Sequence, residues 1–310
     1  MVYRWIEAKV RRVRALVTGG RGFVGTWLIA HLRAEGDQVV SIDREVEITD
    51  AAAVREAVTA AGPDALYHLA ALTHVGRSWS DPGEVFRVNA LGTLNVLEAA
   101  RACARAPRVL ITSSAEVYGT VTEDELPVLE QAPLAPVTPY GASKVATEFL
   151  AVQAHLGYGL PVVRVRPFNH VGPGQASQFV VPSLASHIDG ARSSGAKSIP
   201  VGNLGARRDL TDVRDVVRAY RLLVERGVPG EVYNVCSGQD VSIEEVARML
   251  LGLAGVDLQF IVDPALARPV DIPVLRGDPG KVHAATGWKP EIDLSRTLRD
   301  VLDVCGEKVA

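Results

Sequence analysis

Several things are scarce in this chain of 310 residues. Its three cysteines, Cys103, Cys236 and Cys305, are widely spaced and form no CxxC pair. That argues against a disulfide framework and against a metal site of the structural-zinc kind, and it suits a reducing cytoplasm. No apolar run reaches membrane-spanning length. The opening "MVYRWIEAKVRR" is too charged and interrupted for a signal peptide and reads as a surface tail. A net charge of −3 leaves no excess of base for nucleic acid, so arginines must be read one at a time. No internal repeat or low-complexity segment is visible. What remains is ordinary for a soluble globular protein: 47% hydrophobic and 22% charged residues.

The first half alternates strand and helix patterns. "VRALVTG", "QVVSIDR", "ALYHLAA", "RVLITSS" and "PVVRVRPFN" read as buried strands. Between them lie helical stretches, including one long helix over "PGEVFRVNALGTLNVLEAARACA" and another over "GASKVATEFLAVQAHLG". This order predicts an α/β fold, a doubly wound parallel sheet of Rossmann type covered on both faces. After Asn169 the texture turns rich in glycine, proline and polar residues, as a smaller substrate lobe would. Residues 1–168 are therefore expected to bind a dinucleotide, and 169–310 mainly the substrate. About 209–238 should return to the first unit, because "VRDVVRAYRLLVERG" and "EVYNVCSG" again look like parts of a layered core.

"TGGRGFVG" places Gly19, Gly22 and Gly25 between the first strand and the first helix. Glycine lets backbone N–H groups approach a pyrophosphate at a helix N-terminus, where the dipole is positive. Asp43, at the end of the second strand, can accept hydrogen bonds from an adenosine ribose and repel a 2′-phosphate. Arg44 beside it could instead receive that phosphate. NAD(H) is thus favoured and NADP(H) stays open.

"TPYGASK" supplies Tyr140 and Lys144, four apart at the start of a helix and so on one face. An ammonium beside a phenol favours phenolate, which would let Tyr140 exchange a proton with a carbonyl or alcohol oxygen. Ser114 ends the "RVLITSS" strand, where open parallel sheets bind ligands, and could bond the same oxygen. Glu116 follows it in "SSAEVYG", an acid placed where a buried strand surfaces.

Together, "TGGRGFVG", "YHLAA", "VNALGTLNVLEAA", "SSAEVYG", "PYGASK", "RPFNHVGPGQ", "RRDLTDVRDVV", "YNVCSG" and "RPVDIP" span nearly the whole chain. In that order they resemble the extended short-chain dehydrogenase/reductase superfamily, the branch acting on nucleotide sugars. The resemblance implies a Ser114–Tyr140–Lys144 triad, with Lys144 also holding the nicotinamide ribose. It implies Ala70 and Ala71 along the cofactor channel, Pro167 and Phe168 near the nicotinamide, and Glu47 and Ile48 beside the adenine. Glu47 stands where the family usually has Asp. Phe23, Val24, Leu69, Thr73 and Asn89 complete the implied cofactor set, and Ser78 joins the substrate set.

Within the branch, "FNHVGPGQ", "GNLGARRDLTDVRD" and "RPVDIPVLRGD" look most like reductases of GDP-4-keto-6-deoxyhexoses. Arg208 and Arg268 can bind diphosphate oxygens in charge-assisted, bidentate fashion. Asn169 can bond sugar hydroxyls, and Val180 and Val181 offer apolar walls for a base. Asp271 replaces the Glu usual after "RP". Related 4,6-dehydratases use an acid at the position of Glu116 to move a proton during elimination, yet the reductases carry Glu there too. Because Ala115 precedes it, Glu116 reads more as a ligand to a substrate hydroxyl than as an elimination base. The expectation is a cytoplasmic reductase of a GDP-sugar ketone, using no metal, nucleic acid or membrane. The alternatives are a 4,6-dehydratase, a 4-epimerase keeping its NAD, and, remotely, a non-catalytic dinucleotide-binding regulator. The family likeness further implies a homodimer through a four-helix bundle of the two long helices from each subunit.

Overall fold

The computed structural model describes residues 12–266, 270 and 272–307. Arg268 and Asp271 lie outside the described residues. In chain order, β1 (Arg14–Thr18), α1 (Phe23–Ala34), β2 (Gln38–Ile42), α2 (Ala51–Ala61) and β3 (Ala65–His68) form the first alternating run. The short helices α3 (Val75–Ser78) and α4 (Pro82–Phe86) lead through a π turn, Arg87–Leu91, into α5 (Gly92–Arg101). Next come β4 (Arg108–Thr112), α6 (Pro139–Tyr158), β5 (Val162–Pro167), β6 (Asn169–Val171), α7 (Val180–Ser194), β7 (Ser198–Val201) and β8 (Arg207–Asp212). The chain continues through α8 (Val213–Arg226), β9 (Val232–Val235), β10 (Asp240–Ser242), α9 (Ile243–Ala254) and β11 (Gln259–Val262). It ends on β12 (Val274–Leu275), α10 (Gly280–Thr286) and α11 (Leu294–Glu307).

Six strands pair in the order β2-β1-β3-β4-β5-β9, every pair parallel. A parallel sheet must be covered on both faces, and its strands are accordingly near-continuous apolar runs. One face packs α1, α8 and α10, with Leu28, Val216, Tyr220, Leu223 and Trp288 fully or almost fully buried. The other packs α2, α5 and α6 through Val54, Val58, Val96, Ala100 and Ala151. The strand order reverses between β1 and β3, which opens a crevice at the carboxyl ends of the strands.

A second core lies among α7, α9 and α11, around Leu184, Ile188, Val246, Leu250 and Leu298. Its small sheet runs β10-β8-β12 with β6 against β8, and β11 pairs β7. β8 belongs to this small sheet, and the chain rejoins the main layers only with α8. It touches them once more at α10 and Trp288, whose indole N–H donates to the Asp215 carbonyl at 2.9 Å.

The sequence reads 82–104 as one helix, and there the structure differs. The π turn breaks it and carries Asn89 on its inner side. By contrast, α6 is set cleanly. Thr138 caps it by accepting from the Gly141 N–H at 2.9 Å, Pro139 occupies its first turn, and Gly159 ends it at φ 70°. Among the described residues no helix is long and apolar enough to cross a membrane.

Candidate active site

The crevice is a cleft of about 1210 Å³, lined by the loops after β1 to β5 and by residues of the second lobe. At one end stands the glycine turn. Gly19 has φ +71°, and a Cβ on it would lie 2.8 Å from the Ala70 nitrogen. A Cβ on Gly25 would sit 2.2 Å from the Gly19 carbonyl oxygen. Only glycine lets the loops after β1 and β3 close this tightly. Gly22 is the α1 N-cap with no side-chain cap, and no acid lies in the first turn, so the positive helix end at the cleft is open to an anion. This cradle fits a dinucleotide pyrophosphate.

Asp43 stands beside it. Its carboxylate accepts from the backbone N–H groups of Arg21 and Arg44, both at 2.9 Å, which fixes the acid at the rim. Arg21 pairs at 3.2 Å with Glu45. Glu47 accepts from the Thr49 hydroxyl at 2.8 Å and its N–H at 3.2 Å, and these bonds hold its pKa below the usual carboxylate value. Phe23, Val24, Arg44, Ile48, Leu69, Ala70, Ala71, Thr73, Pro167 and Phe168 also line the cleft.

Asn89 and Lys144 do not line it; they stand behind its wall. Buried Asn89 accepts from the Leu72 N–H at 2.8 Å and donates to the Leu72 carbonyl at 3.0 Å and to the Ser143 hydroxyl at 2.9 Å. It thereby fastens the loop after β3 to α6. Lys144, 3% exposed, donates from Nζ to the Thr112 carbonyl at 2.8 Å.

Ser114, Glu116 and Tyr140 meet on the cleft wall. Burial pushes the Tyr140 phenol up from its ordinary pKa; a hydrogen bond with Ser114 pulls it back, and the Glu116 charge raises it again. The sequence expectation stressed the Lys144 ammonium. In the structure that ammonium is 6.0 Å from the ring centroid and turned to a carbonyl, and burial is the largest influence on the phenol, in the upward direction. Burial also lowers Lys144 to about 8, against the attraction of Glu148.

The second lobe contributes Arg208 and Asn169. Arg208 is 8% exposed and donates from Nη1 to the Arg207 carbonyl at 2.8 Å. Three expected substrate residues are not brought to the cleft. Ser78 is fully buried and its hydroxyl donates to the Val75 carbonyl at 2.6 Å, as a local helix bond. Val181 is packed in the second core, and Val180, beside it at the start of α7, does not line the cleft either. The preceding Gln178 and Phe179 take that place. Sequence reasoning also passed over His74, His170 and Gln175. Phe179 meets the His74 ring edge-on at 6.1 Å, and Phe23 stacks on His170 at 6.3 Å. Their signal was present, since His170 and Gln175 sit in the same "FNHVGPGQ" stretch that yielded Asn169.

A glycine cradle at the switch point of a parallel sheet, with Ser, Tyr and Lys gathered at the next strand end, defines an enzyme of the extended short-chain dehydrogenase/reductase class. More narrowly, the chain belongs to the GDP-mannose 4,6-dehydratase family, whose profile matches residues 44–301. A GDP-6-deoxy-D-mannose reductase from Pseudomonas aeruginosa is 38% identical over 292 residues, 93% of this chain and 96% of that one. The solved structure of RMD from Pseudomonas aeruginosa complexed with NADPH superposes with a TM-score of 0.88 at 36% identity, covering 95% of this chain and 99% of that one. UDP-glucose 4-epimerase from Thermus thermophilus, in complex with NAD, gives 0.84 at 31% identity, over 94% and 98% of the two chains.

Proposed function

We propose that the chain reduces the 4-keto group of a GDP-4-keto-6-deoxyhexose with a nicotinamide dinucleotide. The observation that carries this reading is the placement of Tyr140, hydrogen-bonded to Ser114 and set in the cleft wall. Reduction of a ketone consumes one hydride and one proton. The nicotinamide, when bound, has the hydride to give to the ketone carbon. Tyr140 gives the proton to the ketone oxygen, and Ser114 polarises that oxygen. The glycine cradle and α1 N-terminus would hold the pyrophosphate and Asp43 the adenosine ribose, while Lys144, behind the wall, would reach the nicotinamide ribose by turning from the Thr112 carbonyl. Arg208 would neutralise the substrate diphosphate while Asn169 and Glu116 bond sugar hydroxyls. The likeness to the Pseudomonas reductase supports the same substrate class.

The placement of Glu116 beside Tyr140 favours a second reading, elimination of water from GDP-mannose. The two separate on Glu116→Gln, which keeps shape and hydrogen bonding but cannot carry a proton. With the keto-sugar and NADH, reduction should stay within about tenfold of wild type, or about 1.4 kcal/mol of barrier. Elimination needs acid–base chemistry there and should fall by about 10²–10⁴. Water loss from GDP-mannose by the wild type, abolished by the substitution, would overturn the reductase reading.

NADH is the preferred donor in this account, because the fixed Asp43 carboxylate repels a 2′-phosphate. NADH should exceed NADPH in kcat/KM, and Asp43→Ala should narrow the ratio. A wild-type preference for NADPH would mean that Arg44 receives the 2′-phosphate and that Asp43 does not decide the preference.

The protein is further proposed to act as a homodimer through α5 and α6 of each subunit. Leu91, at the end of the π turn before α5, is 41% exposed, and Phe149 and Leu156 on α6 are 59% and 77% exposed. Burying such side chains contributes about 1.5–3 kcal/mol each. Light scattering at micromolar concentration should return twice the chain mass of 33.1 kDa, and Phe149→Glu should return the chain mass. A wild-type monomer would refute the dimer. The wide spacing of Cys103, Cys236 and Cys305 suits work in a reducing cytoplasm.

A further inference from the structure

His68 ends β3 beside Thr18, its register partner at the end of β1, and has no part in the proton and hydride transfers described above. Its ring is buried, and both nitrogens have partners. Nδ1 lies 2.8 Å from the Thr18 hydroxyl, and Nε2 lies 3.0 Å from the Thr93 hydroxyl of α5. The neighbouring bonds decide which nitrogen carries the proton. Thr93 donates its own proton to the Asn89 carbonyl at 2.6 Å, so its oxygen must accept from Nε2–H. The Thr18 oxygen already accepts from the Ala70 N–H at 3.2 Å, and Nδ1 is the acceptor for the Thr18 proton. Burial, aided by the Lys144 ammonium, keeps the ring neutral, its pKa lowered to about 3. A neutral ring offers one donor and one acceptor, which this run of bonds requires.

The run joins two parts of the cleft. At one end Thr18 holds Ala70, whose nitrogen would lie 2.8 Å from a Cβ on Gly19. At the other end Asn89 grips Leu72 through its N–H and its carbonyl, at 2.8 and 3.0 Å. The Asn89 amide also donates to the Ser143 hydroxyl at 2.9 Å, and that hydroxyl donates to the Tyr140 carbonyl at 2.7 Å. Ala70 and Leu72 both line the cleft. The short segment between them is thus held at both ends, and His68 connects the two holds.

We infer that His68 is a positioning residue: as its Nε2–H tautomer it ties the Ala70–Leu72 wall of the cleft to the turn of α6 that carries Tyr140. That this wall serves a dinucleotide rests on the function proposed above; the tie itself does not. A histidine that only filled space would need no fixed tautomer, and loss of one partner would be felt locally.

The test begins on the protein without cofactor. The chain has seven histidines, and ¹⁵N labelling of their rings gives few signals. Those lost in His68→Gln should be the signals of a neutral Nε2–H imidazole. Thr93→Val keeps the side-chain shape and removes the hydroxyl between His68 and Asn89. Exchange of the Ala70 amide hydrogen should then quicken about two- to tenfold, the usual effect of one lost hydrogen bond. NADH should bind more weakly by a similar factor, and Thr93→Ser should restore both. Thr147 is the control, because its hydroxyl bonds the same Asn89 carbonyl at 3.1 Å, is equally buried, and makes no bond to His68. Thr147→Val should lower the melting temperature and leave the Ala70 amide unchanged. An Nδ1–H or doubly protonated ring, or an Ala70 amide unmoved in folded Thr93→Val, would overturn the inference. If Ala70 responds but neither wild type nor variant binds NADH, the tie stands and the dinucleotide reading fails.

Discussion

Tyr140→Phe is expected to lower kcat by about 10²–10⁴, the usual worth of a positioned general acid. That corresponds to about 3–5 kcal/mol of barrier. The ring is 7% exposed and its packing is retained, so the fold and the dinucleotide affinity should survive. The loss falls on kcat because the hydroxyl acts on an oxygen whose charge develops only as hydride arrives. Steady-state kinetics beside a thermal melt checks it. A variant with normal turnover would remove Tyr140 from the chemistry.

The second large effect belongs to the cradle. A Cβ on Gly25 would stand 2.2 Å from the Gly19 oxygen and 2.9 Å from the Gly20 Cα, both backbone atoms that cannot swing aside. Gly25→Ala must therefore open the turn, at an overpacking cost of about 1–3 kcal/mol. On the proposed reading the pyrophosphate lies on that backbone, so NADH should bind about 10–100-fold more weakly, as fluorescence titration would show. Gly83→Ala is the control: a Cβ there meets nothing within 4 Å, and binding should not change. Equal affinity in Gly25→Ala would mean that the dinucleotide does not lie on this turn.

Features carried by local spacing were legible in the sequence. Strand, glycine turn and helix follow one another from Arg14 to Ala34, and the cleft forms where they meet. Tyr140 and Lys144 share a helix face because residues four apart must. Where long-range packing decides, the sequence was silent. Nothing near Glu148 announces Arg166, eighteen residues on, since only the docking of α6 against β5 brings them together. The π turn at 87–91 leaves no mark in an apolar pattern that still reads as helix; it is the tie of Asn89 to Leu72 and Ser143 that gives it a purpose. Val180 and Val181 looked like cleft walls because they follow a polar loop, yet α7 begins there and turns Val181 into the second core. The environment of Tyr140 follows the same rule. Spacing shows the ammonium nearby, while burial, which wins, is a property of the packed site.

The most direct test of the account follows one atom. The protein is incubated with GDP-4-keto-6-deoxymannose and NADH deuterated at the transferable C4 position, and the sugar product is read by mass and NMR. The account predicts one deuterium at sugar C4 for each cofactor oxidised. Release of water from GDP-mannose with no net cofactor oxidation, and no deuterium passed to the keto-sugar, would contradict it.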